Sequence, residues 1–527
     1  MRAKLFIGGM LAVATAMAAA TAQAENVLRW SSQGDALTLD PHSQNEGPTT
    51  VTNQQMYDAL VQRDWELKLH PALATEWKPL DSNTWEFKLR QGVKFHDGSD
   101  FTADDVVFSL KRAKAKTSDF KGYVNSITDV VKVDDFTVHV RTQAANPILP
   151  SQLNSVRIMS KAWSVANTVV EPQDYADNEE TFAVRNTNGT GPFVLELREP
   201  DVQTVMVKNE NYWDLTDYPH NVDKIIYRPV QSNPTRVAAL LSGELDFLLD
   251  PPVQDLGRIK ATPGLTLKQV AQIRTIFLGM DQASDELKYA DVKGANPFSD
   301  KRVRQAMYQA IDIETIKKKV MRGLSFPAGI VTSPGVHGYT EALDKRLPYD
   351  VDRAKALMAE AGYEDGFGVT LDCPNNRYVN DEAICQAVVP MLAQIGIKVD
   401  LAARPKSVHF KRLQQRDTSF YMLGWGVPTL DSHYVFEYLA HTTDGKRGSW
   451  NFTGFSNSRM DEVTEKMLSE VDQEKRDQLV AEAWDILKGD IAYLPLHHQV
   501  ISWAMSDKLD LPIVANDSPN FKWARFK

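Results

Sequence analysis

The chain has 527 residues, of which 24% are charged and 43% are hydrophobic, as in an ordinary water-soluble globular protein. That length predicts two to four domains. The formal net charge of −10 argues against nucleic acid and anionic membrane surfaces as partners, because both repel an acidic protein.

Residues 1–24 are predicted to form a cleavable signal peptide. A basic start is followed by an apolar, alanine-rich run over residues 5–20 and by a small-x-small cleavage site at residues 22–24. No cysteine follows that site, so a lipid anchor is not expected there. Later segments fall short of the roughly 18 uninterrupted apolar residues that a membrane helix needs. We therefore expect a soluble protein that is exported to the periplasm.

The stretch 85–111 predicts a strand, a tight turn and a capped helix in direct succession. Apolar and charged residues alternate over residues 85–89, which is the period of a half-buried strand. Asp97-Gly98 supplies the turn, because glycine tolerates positive φ. Thr102, with Asp105 three residues later, matches a capping box, so a helix is expected to begin there. This local agreement favours a structural unit over a catalytic loop.

The rest of the chain predicts scattered elements at first and regular alternation later. The predicted strands are residues 27–31, 137–141, 369–373, 397–401, 420–423 and 493–496. The predicted helices are residues 49–60, 300–310, 312–321, 351–361, 380–394, 458–470 and 472–488. Pro390 is expected to kink or break the helix that contains it. Because strands and helices alternate from residue 369 onward, we expect an α/β fold.

Four motifs in the first half of the chain belong together. They are LRQGVKFHDGSDFTADDVVFS at residues 89–109, GTGPF at 189–193, NENYW at 209–213 and GELD at 243–246. In these four motifs the chain resembles the family 5 extracytoplasmic solute-binding proteins of ABC importers, which include dipeptide- and oligopeptide-binding proteins. The glycines of GTGPF also suggest a phosphate loop, but the third glycine and the lysine of such loops are missing. A turn between strands is therefore the preferred interpretation of GTGPF.

The resemblance implies a type II periplasmic-binding-protein fold, with two α/β lobes around an interlobe cleft and a subdomain inserted in the first lobe. The implied boundaries are residues 25–58, 188–272 and 494–527 for lobe I, 59–187 for the inserted subdomain and 273–493 for lobe II. The implied function is that of a binding protein, expected to be a monomer, that captures a peptide or peptide-like solute. It would deliver this solute to the membrane permease of an ABC importer.

Enzyme and metal motifs give no competing assignment. The sequence lacks the G-x-S-x-G, H-E-x-x-H, P-loop and C-x-x-C motifs, so an exported hydrolase or chaperone-like protein is the weaker alternative.

His433, Glu437 and His441 share one face of a predicted helix and are of types that bind zinc, nickel or copper. They extend over ~12 Å, which is too far for one ion. The sequence therefore predicts no metal and no cofactor.

Two segments that follow strands are the candidate ligand-binding sites, because ligands of α/β lobes lie beyond the carboxyl ends of strands. The first is residues 373–378. Arg377 can clamp a carboxylate, Asn376 offers an amide and Tyr378 offers an amphipathic ring. An ordinary solvated loop is the alternative.

The second candidate segment is residues 423–431. Gly424 and Gly426 would let a ligand approach the backbone closely, and Trp425 between them would give a stacking face. The alternative for Trp425 is a place in the lobe core.

This second segment departs from the family pattern at one position. In the peptide-binding members that it resembles, an aspartate three residues after the tryptophan holds the α-amino group of the peptide. Pro428 stands at that position here, and Asp431 is the candidate partner for a cation or hydroxyl. An oligosaccharide, an opine-like compound or another anionic conjugate is therefore the alternative to a peptide ligand.

Cys373 and Cys385 are the only cysteines in the sequence. An oxidising compartment permits one disulfide between them, and two reduced, buried thiols are the alternative.

Overall fold

The computed structural model describes residues 25–527, so the predicted signal peptide lies outside the described residues. Within this range, no helix has both the length and the apolar character that crossing a membrane requires. The main feature is an eleven-stranded mixed sheet. Ten of its strands, in spatial order, are Ile397–Arg404, Phe367–Pro374, Phe420–Gly426, Leu265–Met280, Tyr493–Ser506, Phe247–Leu248, Val27–Ser31, Lys224–Tyr227, Gln203–Lys208 and Phe193–Glu199. The eleventh, Ser325–Pro327, pairs with Tyr493–Ser506.

Two long antiparallel strands connect the two lobes of this α/β fold. Leu265–Met280 and Tyr493–Ser506 pair with each other along most of their length. At one end Tyr493–Ser506 also pairs with Phe247–Leu248, and at the other end Leu265–Met280 pairs with Phe420–Gly426. The predicted strand at 493–496 is therefore ten residues too short. Its remainder could not be recognised from periodicity, because it is buried on both faces.

A separate four-stranded antiparallel sheet contains the stretch that carries the longest motif. Its strands, in spatial order, are Ala74–Asp81, Thr84–Leu89, Thr137–Thr142 and Ile127–Asp134. The predicted capping box is confirmed: the helix Ala103–Ala113 begins after Thr102, whose backbone N–H donates to Asp105 Oδ2 at 2.9 Å. All of these residues fall within the predicted inserted subdomain, and the division into domains stays a prediction.

The helices and the smaller strand pairs complete the fold. The α-helices are Gly47–Asn53, Ala103–Ala113, Lys121–Val124, Leu149–Leu153, Lys161–Ala166, Asn233–Ser242, Leu256–Ala261, Lys301–Ala310, Ile313–Thr315, Val351–Glu360, Asp381–Ala393, Lys406–Gln414, His433–Val435, Ser458–Ser469 and Gln473–Gly489. Helical turns of the π type are Ile316–Val320 and Phe436–Ala440, and those of the 3₁₀ type are Phe182–Val184, Pro297–Ser299 and Phe521–Trp523. Two two-stranded sheets pair Val61–Arg63 with Leu69–Pro71 and Leu509–Asp510 with Arg525–Phe526.

The first predicted helix, residues 49–60, is too long at its C-terminal end, because the observed helix stops at Asn53. Tertiary contact with the GTGPF motif explains the difference. The backbone N–H of Gly191 donates to Met56 O at 3.0 Å, and a Cβ on Gly189 would lie only 2.0 Å from the same oxygen. These glycines therefore let two backbone segments touch, as expected for a structural turn and not for a phosphate loop.

A disulfide links Cys373 and Cys385. It joins the end of the strand Phe367–Pro374 to the helix Asp381–Ala393. That helix continues past Pro390, so the predicted break does not occur. Proline inside a helix costs about 3 kcal/mol, and burial of the apolar face of this helix against the sheet offsets that cost.

Candidate functional site

The pairing of the two long strands is interrupted where they pass between the lobes. Their register shifts between Ala271 and Thr275, so residues 272–274 are not paired with the described strand Tyr493–Ser506. Extra residues of this kind bend a strand and redirect its side chains. All three residues line a cavity between the lobes.

This interlobe cavity has a volume of about 240 Å³ and is lined by both aromatic and charged side chains. The aromatic ones are Trp30, Phe120, Tyr123, Tyr227, Tyr378, Phe410, Trp425, Tyr434, Trp450 and Trp523. The charged ones are Glu46, Arg63, Asp64, Arg157, Asp250, Arg274, Arg377 and Asp517. Apolar walls with a few convergent polar groups are typical of small-molecule sites.

Arg377, the predicted anion clamp, lies on the cavity wall and faces Glu46 from the opposite side. Its Nε is 3.1 Å from Glu46 Oε1, without the angle of a hydrogen bond, and Lys406 Nζ is 3.1 Å from the same oxygen. Glu46 is oriented because it caps the helix Gly47–Asn53. Burial would raise the pKa of Glu46, but Lys406 and Arg377 outweigh burial and hold that pKa below its usual range. The ionised Glu46 therefore joins the two sides of the cleft.

Arg274 is a second guanidinium on the wall. Its Nη1 donates to Gly424 O at 3.2 Å, and its Nε has no hydrogen-bond partner among the described residues. Burial, and to a smaller extent the neighbouring Arg377, lowers the pKa of Arg274 to about 10, so the side chain is still charged at neutral pH. Arg274 is therefore a cation with a spare donor beside the cavity.

Asp517 contributes an acidic group to the same wall. Its Oδ1 accepts a hydrogen bond from Trp503 Nε1 at 2.8 Å. Burial raises the pKa of Asp517 to about 7, because the attraction of Arg274 does not offset the loss of hydration. A cationic group of a solute would favour the ionised form of this side chain.

Trp425 belongs both to an aromatic cluster and to the cavity wall. Its ring stacks on Tyr434 at 5.4 Å between centroids, and Trp450 packs at the same distance. The Tyr434 hydroxyl in turn is hydrogen-bonded by Tyr123 and by Asn45, at 2.9 Å each. The two interpretations of Trp425, as lobe core and as ligand platform, are therefore compatible.

The glycines on either side of Trp425 lie within the strand Phe420–Gly426 and not in a loop beyond it. A Cβ on Gly424 would be 2.7 Å from Tyr378 Cε1, so this glycine makes room for a side chain of the protein. At Gly426 the nearest atom would be 3.5 Å away. Of the two glycines, Gly426 is thus the one with space for a close ligand contact.

Asn376 and Tyr378 line the cavity, although their polar atoms are partly committed to the protein. The Asn376 Oδ1 accepts from the backbone N–H of Lys406 at 2.7 Å and so helps to start the helix Lys406–Gln414. The Tyr378 hydroxyl donates to Gly424 O at 3.3 Å. The first candidate segment is therefore an ordered part of the wall and not a solvated loop.

The structure does not place Asp431 on the cavity wall. Both of its oxygens accept from the Arg476 guanidinium at 2.8 Å, and His337 Nδ1 lies 3.0 Å from Oδ2. Burial alone would raise the pKa of Asp431, but these partners hold it well below its usual range. Asp431 has its counter-ions within the protein, so the predicted role as a ligand partner is not supported by its position.

The three residues considered as metal ligands do not come together. The Nε2 of His433 is 3.9 Å from Glu437 Oε2, while His441 follows the end of the π turn Phe436–Ala440. Across residues 25–527, no group of three or more His, Cys, Asp and Glu side chains is placed to hold a metal ion.

Seven buried polar atoms on the cavity wall have no hydrogen-bond partner within residues 25–527. Six are donors, namely Nε1 of Trp30, Trp425 and Trp523 and Nε of Arg63, Arg274 and Arg377, and the seventh is the acceptor Oδ1 of Asp250. Two of the seven are in ion pairs: Arg377 Nε with Glu46 and Asp250 Oδ1 with Arg236. Buried polar groups in folded proteins are nearly always paired. The wall therefore offers donors that a solute rich in acceptor atoms could use.

Sequence reasoning missed Glu46, Lys406, Arg274, Asp250 and Asp517. No motif marks them, because each acts through a contact with a distant part of the chain. Arg274 alone carries a local signal, since it is a lone charge next to the apolar run Ile276–Phe277–Leu278 of a buried strand.

Comparison with known proteins finds relatives that span nearly the whole chain. The Heme-binding protein A of Haemophilus influenzae is 26% identical over 511 residues, covering 92% of this chain and 89% of that protein. The glutathione-binding protein GsiB of Escherichia coli K12 is 26% identical over 494 residues, covering 92% and 91%. A dipeptide-binding protein from Pseudoalteromonas sp. SM9913, solved in complex with Met-Leu, has the same fold, with a TM-score of 0.84, 22% identity and coverage of 95% and 100%.

The family comparison covers most of the chain. The family described as bacterial extracellular solute-binding proteins, family 5 middle, matches residues 68–447, a range that includes all four motifs. The resemblance deduced from those motifs is thus confirmed, together with the two-lobed α/β fold. The chain belongs to the family 5 bacterial extracellular solute-binding proteins.

Proposed function

We propose that this chain captures a peptide or peptide-like small solute in the interlobe cavity and delivers it to the permease of an ABC importer. It would do so in the periplasm, as a monomer, after removal of residues 1–24. No catalytic step is part of this proposal. The observation that carries it is that five residues lining one cavity each have a buried donor with neither a hydrogen bond nor an ion pair within the described chain.

The two long strands are the basis for closure and release. They carry the chain between the lobes, and their pairing is interrupted at residues 272–274. A small change of backbone angles there would rotate one lobe against the other, as in hinge closure of periplasmic binding proteins. Glu46 contacts Arg377 and Lys406 across the cavity, and this contact would help to hold the closed form.

The polarity of the wall favours a solute with several acceptor atoms. The five buried atoms on the wall with neither a hydrogen bond nor an ion pair among the described residues are all donors, and one of them is the Nε–H of the cation Arg274. Carboxylates and carbonyl oxygens of a peptide would satisfy such donors. Pro428 also lines the cavity, so an amino group would need another carboxylate. Of the four on the wall, Glu46, Asp64 and Asp250 are each in an ion pair, and Asp517 is in none among the described residues.

The excess of donors also favours a second candidate, an opine-like or other anionic conjugate. Such a compound would offer more carboxylates than a neutral peptide and would not require an amine-binding aspartate after Trp425. Haem is less well suited, because the lining residues that the structure describes include no histidine, cysteine or methionine. Tyrosine can also bind haem iron, but the hydroxyls of the tyrosines on the wall are hydrogen-bonded within the protein.

The first test is to identify the natural solute. Mature protein purified from its own periplasm would be examined by native mass spectrometry, then denatured so that any released molecule can be identified. We expect one molecule per chain, recovered unchanged, with peptide bonds or with two or more carboxylates. A product of turnover would instead support the alternative of an exported hydrolase.

The second test measures affinity for that molecule by calorimetry. Arg274→Met should weaken binding by roughly 2 kcal/mol or more, about thirtyfold, because a buried charge contact is lost. Arg353→Met is the matched control, since Arg353 is a half-exposed arginine paired with Glu360 on the surface. Equal affinity for the two variants, within twofold, would remove the interlobe cavity as the binding site.

A further inference from the structure

A second cavity lies within the C-terminal half of the chain and shares no lining residue with the interlobe cavity. Its volume is about 330 Å³. It is enclosed by the helices Lys301–Ala310 and Gln473–Gly489, by residues 329–347 and by the start of the strand Tyr493–Ser506. This volume is at the lower end of the roughly 300–1,000 Å³ of small-molecule sites.

The walls of the second cavity are largely apolar. Ile330, Val331, Leu487 and Ile491 contribute aliphatic surface, and Trp484 contributes an indole ring. The Trp484 side chain is only 1% exposed, and its Nε1 has no hydrogen-bond partner among residues 25–527. A buried indole N–H normally has an acceptor. The cavity therefore combines an apolar interior with one unused donor.

The charged residues in the lining of the second cavity are all lysines, while Asp344 and Asp485 lie near Lys488 but outside the lining. The lining contains Lys301, Lys345 and Lys488, and no aspartate or glutamate of the described chain. The Lys488 Nζ donates to the backbone oxygens of residues 343 and 345. The side chains of Lys301 and Lys345 form no ion pair among residues 25–527, although both are exposed. Two lysines without counter-ions at an apolar opening attract an anion.

We propose that this second cavity binds a small organic carboxylate with an apolar body, such as a medium-chain fatty acid. The aliphatic part would lie against Ile330, Leu487 and the Trp484 ring. The carboxylate would sit between Lys301 and Lys345. The two cavities share no lining residue, so this site is separate from the solute site.

Octanoate is the probe, and octanamide is its neutral analogue. Isothermal titration calorimetry of the mature protein should show one octanoate per chain. The variant Lys301→Gln/Lys345→Gln should weaken octanoate binding about tenfold or more, because charge-assisted contacts are lost. Octanamide should bind the unchanged protein more weakly by a similar factor. Lys318→Gln, an exposed lysine on the same half of the chain, is the matched control and should leave affinity unchanged.

Two further variants locate the bound probe. Gly489→Leu should reduce binding by narrowing the cavity, since a Cβ at Gly489 would meet no atom within 4 Å and folding should be preserved. Arg274→Met, in the interlobe cavity, should have no effect. Absence of octanoate binding, equal binding of octanamide, or loss of binding in Arg274→Met with retention in the lysine variant would each overturn the proposal.

Discussion

Glu46 and Asp431 are both buried carboxylates with two basic partners, but their partners belong to different parts of the molecule. Glu46 contacts Arg377 and Lys406 across the interlobe cavity. Asp431 contacts Arg476 and His337, all within the C-terminal half of the chain. The first set of contacts spans the cavity and is expected to separate when the lobes move apart, whereas the second lies away from the cavity and is expected to persist.

This difference decides how each carboxylate acts. If a partner of Glu46 is lost, the cleft can open and water can solvate the remaining charge. If Asp431 is lost, Arg476 stays buried without a counter-ion whatever the lobes do. Glu46 is therefore expected to influence closure, and Asp431 to influence the stability of the fold. Two buried carboxylates, each with two basic partners, therefore have different consequences, according to where the partners lie.

The largest expected effect is that of Asp431→Asn. Removing one member of a buried ion pair costs about 3–5 kcal/mol, because the other charge stays buried and uncompensated. Urea unfolding monitored by circular dichroism should show a loss of that size in the free energy of unfolding. Affinity for the natural solute should change little in the fraction that is folded.

Asp477→Asn is the matched control for Asp431→Asn. Asp477 also contacts His337, at 2.7 Å, but its side chain is 55% exposed. The loss of stability should therefore be below about 1 kcal/mol, as for other surface ion pairs. A collapse of solute affinity in Asp431→Asn without a loss of stability would return Asp431 to the binding site.

A smaller effect is expected from Lys406→Met. The variant leaves Glu46 with Arg377 alone, so the closed form should lose stability relative to the open form. Small-angle X-ray scattering of solute-free protein should show a larger radius of gyration, and solute affinity should fall about tenfold, or 1.4 kcal/mol. The free energy of unfolding should change less than in Asp431→Asn, because opening hydrates Glu46.

Lys398→Met provides the comparison for Lys406→Met. Lys398 is exposed on the neighbouring strand Ile397–Arg404, away from the cavity lining. Its substitution should alter neither the scattering nor the affinity. If Lys406→Met behaved in the same way, the contact across the cleft would have no part in closure.

The smallest expected effect is on the pH dependence of the free energy of unfolding. The hydrogen bond to Asp431 is the main cause that raises the pKa of His337 above its usual value. Because the pKa of His337 is raised in the folded state, the contact of protonated His337 with Asp431 stabilises the fold fully below about pH 6.5. This stabilisation is lost as the pH rises through the folded-state pKa of His337. His337→Gln should remove this part of the pH dependence, which is below about 1 kcal/mol because the side chain is partly exposed.

A double variant isolates the cause of that pH dependence. In the background of Asp431→Asn, the further change His337→Gln should have almost no effect on the pH profile of urea unfolding. An undiminished effect of His337→Gln in that background would assign the raised pKa to Asp477 instead.

The features that could be predicted from the sequence are those determined over a few neighbouring residues. The capping box at Thr102, the strand Val27–Ser31 and the helix ending at Gly489 depend on local turn chemistry and periodicity. The family was recognisable for the same reason, because its motifs are continuous stretches. Element ends failed where distant segments intervened, as at Met56, whose carbonyl oxygen is occupied by Gly191.

The sequence by itself determined the α/β class and the family, and it predicted Arg377, Tyr378 and Trp425 as ligand-binding residues, a role that stays a prediction. Only the tertiary structure decided that Arg377 faces Glu46, that Asp431 is paired away from the cavity and that Arg274 and Asp517 share the cavity. The physical reason is that the role of a charged side chain depends on its counter-ions and its burial. Those are contributed by residues far away in the chain, whereas helices, turns and motifs are set by near neighbours.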